Sequence, residues 1–425
     1  MQSFDHQSWH RRARLQCHGT RRKYVLIALF LATVISLTEA DVCCRFNVSK
    51  KPVWENDIAL PILPGEKSCE WAADFPGEIT FVQPGRLVAA IHFRCDSGDG
   101  NVKPKHTLDF LLAIDSRTGK TLKQVSWQDI SIGRPHDNAI QLFSVKNHKV
   151  LLKAGAFLKL CSADLEELHS RFLPLTNEHG DQTEMWAAYL SPSGEVGVLR
   201  HWGIGRNNSS LSEDHWFSTD TLEDTKVELA PRYTLRIAIT DNQIYYSPYK
   251  RWVSVRSREQ IVDQLNAEPV VHVRKPGEQI GQPLCDSCDG TPLQVMPNGL
   301  VLLQRTPKAA FWLVDPNGNV MHRGSYGDQI DAVQDAVTAI EGDRFAFSYG
   351  HLGSGLFSPG AVNGVVVFDM NKMKDVFQLK IREHPEKKGQ IEYWPGPRIA
   401  LSSDGKQLVV MDGAKLKFFV IDTQL

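Results

Sequence analysis

The residues able to do chemistry in this chain are dispersed, and few stand at a reactive spacing. Cys285-Asp286-Ser287-Cys288 is the sharpest local pattern. No His follows it for haem attachment, and no second pair supplies the other ligands of a structural zinc site. A redox CxxC opens a helix of a thioredoxin-like fold, and the flanking residues do not read as one. The pattern therefore predicts a small loop closed by a Cys285–Cys288 disulfide, not a redox centre. The fifteen histidines include no HExxH and, after residue 40, no close metal-spaced pair, so no metal and no cofactor are expected. His136 in RPHDN, His201 in HWGIG and His351 in YGHLGSG read as loop residues. Gly353-Ser354-Gly355 does not fit a G-x-S-x-G nucleophile elbow, and the stretch from His351 lacks the lysine of a phosphate loop. No catalytic residue is assigned, and an enzyme is the less favoured class.

The elements that would position such residues begin after a leader. Arg11, Arg12, Arg14, Arg21, Arg22 and Lys23 precede an apolar run from Tyr24 to Leu37, and Thr38-Glu39-Ala40 follows. A basic lead, a short apolar run and a small-residue exit make a signal peptide, here residues 1–40. The run is shorter than the ~20 apolar residues of a spanning helix. Export by the Sec route or, given Arg21-Arg22, by the twin-arginine route would leave a periplasmic or secreted protein with no membrane span. The formal charge of −1 becomes about −5 once the basic leader is removed. No basic run is dense enough for nucleic acid. Residue totals of 42% hydrophobic and 23% charged suit a large soluble core.

One unit recurs through the remainder: an apolar strand, a two-residue turn and a second apolar strand. The turns are Pro84-Gly85, Asn147-His148, Ser193-Gly194, Asp241-Asn242, Asn298-Gly299, Gly342-Asp343 and Asp404-Gly405. Each hairpin is followed by a third strand that ends at Asp or Ser in a turn, then by a fourth. Four short antiparallel strands in sequence make a propeller blade. The sequence thus predicts an all-β chain forming a single β-propeller of seven blades, with eight as the alternative. The fourth unit is irregular, and Trp252 to Val255 is its expected third strand. Excess length is assigned to loops around 96–107, 201–214 and 350–361. The last unit lacks a fourth strand, which would leave an open edge. Residues 41–74 are read as an extension supplying it, from Val42–Val48 or Val53–Leu60, with the propeller spanning 75–425.

Ser191-Pro192-Ser193-Gly194-Glu195, Ser402-Ser403-Asp404-Gly405-Lys406 and Leu112 to Lys120 resemble repeats of secreted bacterial propellers of the YVTN and quinoprotein amine dehydrogenase β-chain type. The resemblance covers nearly all of residues 75–425 and implies architecture, since such superfolds carry unrelated functions. LAIDSRTGK also resembles one repeat of quinone-binding propellers. Trp127 comes too late for their docking pattern, and no other unit carries TGK, which argues against that cofactor.

In each unit the strand before the hairpin is expected innermost, so residues leading into it gather at one mouth of the axial channel. Counting back from the turns collects Arg134, His136, Asp137, Glu184, Trp186, Tyr233, Asp289, Asp335, Trp394 and Arg398. Carboxylates, arginines, a histidine and aromatics make a plausible ligand-binding set. Its four carboxylates suit a hard cation such as calcium or a cationic partner group. The function expected is a scaffold that binds a protein or small molecule through loops of one face. The rival is a hydrolase, lyase or dehydrogenase with its site at the axial mouth.

Overall fold

A strand that is apolar on both faces needs a neighbour on each side, and these strands alternate between two such neighbours. The computed structural model describes residues 51–58, 68–71, 77–96, 106–128, 140–174, 184–203, 211–230, 237–247, 270–275, 277–278, 281–285, 288, 290–305, 310–325, 332–350, 362–382, 397–412 and 415–421, all within the unit Lys50–Leu425. They form seven antiparallel sheets, each a blade. Blade one is Glu78–Gln83, Arg86–Asp96, His106–Asp115 and Thr121–Gln128; blade two is Gln141–Val145, Lys149–Ala154, Phe157–Ser162 and Glu167–Phe172. Blade three is Glu184–Leu190, Val196–Gly203, Leu211–Ser218 and Asp224–Leu229. Blade four is Ile237–Ile239, Ile244–Tyr246, His272–Arg274 and Gln282–Pro283; blade five is Thr291–Val295, Val301–Arg305, Ala310–Val314 and Val320–Ser325. Blade six is Ala332–Thr338, Arg344–Gly350, Val362–Asp369 and Lys374–Arg382.

Blade seven takes Arg398–Leu401, Gln407–Asp412 and Lys415–Val420 from the C-terminal stretch and its outer strand, Trp54–Asp57, from the N-terminal one. The closing strand therefore falls in Val53–Leu60 of the two expected segments, with Trp54 opposite Phe418 and Asp57 opposite Lys415. The Trp54 and Phe418 rings stack 5.5 Å apart. The same strand locks onto blade one: the Trp54 indole N–H donates to Ser116 O (2.9 Å), and the Asn56 amide donates to Thr118 O (3.0 Å). Gly119, at φ +70, lies against Trp54 and Asn56, where a Cβ would collide with both. A further strand, Ser68–Trp71, pairs with the far end of Arg86–Asp96 and sets Cys69 opposite Cys95.

The first strand of each blade touches the first strand of the next, and blade seven touches blade one, so these strands are innermost and the ring is closed. The core is correspondingly divided into seven apolar layers, one between each pair of neighbours. Period-two alternation explains the division. Leu87, Ala89 and Ile91 face blade seven, whereas Val88 and Ala90 face blade two.

The seven hairpins stand where the turn pairs predicted them. Asn147 and His148 both adopt left-handed φ (62 and 59) in the three-residue connection Lys146–His148 between the paired Val145 and Lys149. In blades one, two, three, five and six the Asp or Ser closing the third strand caps the next turn. Asp315 Oδ1 accepts from the N–H of Asn317 and Asn319 (2.9 and 2.8 Å), and Asp115 Oδ1 from Arg117 (2.8 Å). Two expectations need correction. His201 is not a loop residue: Val196–Gly203 and Leu211–Ser218 are strands, so residues 201–203 and 211–214 of the expected loop are strand. The irregular fourth unit takes its third strand from His272–Arg274, and Trp252–Val255 lies outside the described residues. Arg274 anchors that strand by its charge, which apolar patterning does not register.

Between blades three and four, Arg200 grips Asp214 through two bonds (2.7 and 2.9 Å), and Arg274 donates to the same carboxylate and to Leu229 O (2.8 Å). All three side chains are buried. Removing the acid alone would strand two buried cations. Asp214→Ala should cost about 3–5 kcal/mol in urea unfolding, while exchanging all three residues for apolar ones of similar volume should cost less. Trp54→Ala should cost about 2 kcal/mol, below the ~3–5 kcal/mol of a fully buried Trp. A chain starting at Glu66 should aggregate. A monomeric truncated chain with the parent's melting temperature would show that closure is dispensable.

Candidate functional site

The antiparallel strand order makes the two ends of the ring unlike. Inner and second strands meet at a hairpin, third and outer strands of blades one to six meet at a second turn, and both turns lie on one face. The other face receives every connection from second to third strand and from one blade to the next. These include Asp96 to His106, Tyr246 to His272, Gly350 to Val362 and Arg382 to Arg398. One face is short turns; the other carries the long connections.

Of the residues expected at the mouth, Arg134, His136, Asp137, Tyr233, Asp289 and Trp394 lie outside the described residues. Glu184 and Asp335 stand in inner strands of blades three and six, their side chains outside the described ones. Arg398 begins the inner strand of blade seven and pairs with Glu78 (3.4 Å), which begins that of blade one. Trp186 is buried in the layer between blades two and three, where its indole N–H donates to Pro174 O (2.8 Å).

Around Trp186 the structure assembles ionisable groups that the sequence did not associate. Register sets Trp186 opposite His201, and His201 opposite Glu213, in one row across three strands. His215 follows Glu213 by two residues and so shares its face. The His201 ring stacks on the indole at 4.2 Å, and the His215 ring meets it edge-on at 5.2 Å. Glu213 Oε2 lies 3.8 Å from His201 Nδ1 and 3.4 Å from His215 Nε2. One ligand atom from each of the three residues lies within 4.8 Å of the others. The row is near the strand ends that open on the long-loop face, since His201 nears the end of its strand and Glu213 the start of the next.

Behind the trio, Asp224 on the outer strand meets His215 Nδ1 at 3.1 Å and receives two bonds from Arg171 of blade two (2.5 and 2.8 Å). Burial works against the Asp224 carboxylate, but the hydrogen bonds from Arg171 and His215 outweigh it and hold the group below the usual carboxylate range. An ionised carboxylate only accepts, so His215 Nδ1 carries the proton of that bond. The trio's signal in the sequence was Glu213-Asp214-His215, two ligand types at strand period. It was invisible while the segment read as loop.

Other reactive groups are closed off. Cys285 and Cys288 are joined in a disulfide with Cα atoms 5.2 Å apart, and Cys288 packs in the layer between blades four and five. Cys161 is a free thiol buried in its strand, and burial pushes it up to about 11, so it holds no thiolate near neutral pH.

No protein-family model matches the chain, and no curated protein matches it. Solved structures do. An uncharacterized protein of Listeria monocytogenes EGD-e, lmo1340, is similar at 10% identity and a TM-score of 0.47, over 87% of this chain and 99% of its own. The Pan2 WD40 domain of Neurospora crassa is similar at 10% identity and 0.36, over 88% and 96%. BBS1N, solved in complex with ARL6DN, is similar at 9% identity and 0.44, over 88% and 97%. At such identity and superposition the likeness assigns neither activity nor ligand. The chain's own strand pairing makes it a seven-bladed β-propeller.

Proposed function

We propose that this propeller is an exported binding scaffold that holds a protein or small-molecule ligand on its long-loop face. The observation that carries the reading is the asymmetry of the ring. A rigid scaffold with short turns on one face and long connections on the other concentrates variable contact residues on one side. Of the residues expected at the mouth, His136, Tyr233 and Trp394 fall in sequence between the outer strand of one blade and the inner strand of the next, and Arg398 begins the inner strand that follows Trp394. Among the described residues no helix is long and apolar enough to cross a membrane. Export is supported by the leader, and in an oxidising compartment Cys69 and Cys95, paired in strand register, should be bridged. Non-reducing peptide mapping of the native protein should find that bridge, and two free thiols there would count against export.

The face is tested with a photocrosslinking amino acid placed singly at 136, 233 or 394, and at Asp241, Asn317 or Asp404 on the short-turn face. In cells of the source organism, adducts should form from the first three positions and not from the second three. Equal adducts from both faces, or none from the long-loop face, would overturn the assignment.

A further inference from the structure

We propose that His201, Glu213 and His215 form a binding site for a divalent transition metal of the zinc type. The donor set is two imidazoles and one carboxylate, the set of many zinc and non-haem iron centres that keep a position open for water. Such a set disfavours calcium and magnesium, which take oxygen ligands in larger number. Around zinc at ~2.0–2.1 Å, tetrahedral ligand atoms stand roughly 3.3 Å apart. The separations of 3.4 and 3.8 Å from Glu213 Oε2 are close to that, and all three ligand atoms lie within 4.8 Å of one another.

The hydrogen bonding points the same way. His215 gives its Nδ1 proton to Asp224, which leaves the Nε2 lone pair for a ligand. That Nε2 is buried, makes no hydrogen bond, and faces a carboxylate oxygen at 3.4 Å. A lone pair and a carboxylate oxygen repel at this distance unless a positive charge lies between them. Carboxylate, imidazole and metal in line is the usual arrangement behind ligating histidines, where the carboxylate fixes tautomer and ring orientation. Asp224 is itself held by both Arg171 bonds, and Trp186 forms a flat wall against both rings. The site is thus pre-formed on strands of blade three and braced from blade two. It stands whatever ligand the long-loop face takes.

The experiment uses untagged, chelator-stripped full chain and Co²⁺ as probe, followed by Zn²⁺. One equivalent of Co²⁺ should produce visible ligand-field bands that one equivalent of Zn²⁺ abolishes, and Zn²⁺ should raise the melting temperature by mass action. Glu213→Gln should weaken Co²⁺ binding at least about tenfold and remove the Zn²⁺-dependent rise, with the metal-free melting temperature near the parent's. His215→Ala should do the same. Asp224→Asn should weaken binding by about 10–100-fold through misorientation of His215. Should His215→Ala fail to fold, Glu213→Gln decides, because its side chain is partly exposed and the exchange preserves its shape. Folded parent protein showing neither bands nor a Zn²⁺-dependent rise would mean that a proton, not a metal, separates Nε2 from Glu213. Parent-like binding in both variants would place the metal on other histidines. Either result overturns the proposal.

Discussion

A propeller blade is apolar on both faces, so the fold depends on each blade having two neighbours. That condition cannot be met locally. Blades two to six obtain both neighbours from the order of the chain, but blades one and seven must find each other across its whole length. The joint is made by Trp54–Asp57, which completes blade seven while bonding to the turn of blade one at Ser116 and Thr118. Closing a loop of this length costs entropy that grows only slowly with length, and the layer it completes is large. Ile79, Phe81, Leu87 and Ile91 of blade one interlock there with Val409, Met411 and Phe418 of blade seven. An open ring would expose that surface together with a strand edge. Closure thus ties stability to solubility.

The same strand order that permits closure separates the chemistry of the two faces. Tight turns need short residues able to adopt left-handed conformations or to accept from nearby N–H groups. In the turns between third and outer strands, the left-handed position is Gly119 or Gly318 in two blades, but Leu165, Leu222 and Met373 in three others. A leucine in that conformation is strained. Leu165 and Leu222 are nevertheless buried in the layers beside blades two and three, so apolar burial offsets the strain. The short-turn face is therefore committed to packing. Variation is left to the connections of the other face.

This division explains what could be read from the sequence. Hairpins were legible because a turn pair and two apolar strands are contiguous. The blade count followed from their recurrence. The closing strand was legible only as a need, since an incomplete last unit demands a partner without naming one of two segments. Blade four was poorly legible because its third strand is three residues long and carries Arg274, whose place is fixed by Asp214 of the neighbouring blade. The His201, Glu213 and His215 trio was hidden for a related reason. Its members meet through strand register, and register is a pairing property that no local spacing reveals, apart from the two-residue step from Glu213 to His215. Of the mouth residues, Trp186 was chosen for its position before a hairpin, and the structure sets it against both histidines.

Blade three then presents an asymmetry of its own. One face sends Arg200 and Asp214 into the layer with blade four, where Arg274 completes a buried charge network. The other turns His201, Glu213, His215 and Asp224 toward blade two. Both groups occupy strand positions that apolar residues fill elsewhere, and apolar replacement of buried ion pairs often leaves stability equal or higher. Packing alone therefore does not account for them. The two groups differ in one respect that separates their roles. In the first, Asp214 is met by two guanidinium groups, and the network's charges answer one another. In the second, Asp224 is answered by Arg171, but Glu213 faces Nε2 of an imidazole whose proton is on Nδ1, at the far side of the ring. The first group is complete as a structural lock. The second is arranged to receive a positive charge, and it lies at the strand ends that open on the long-loop face.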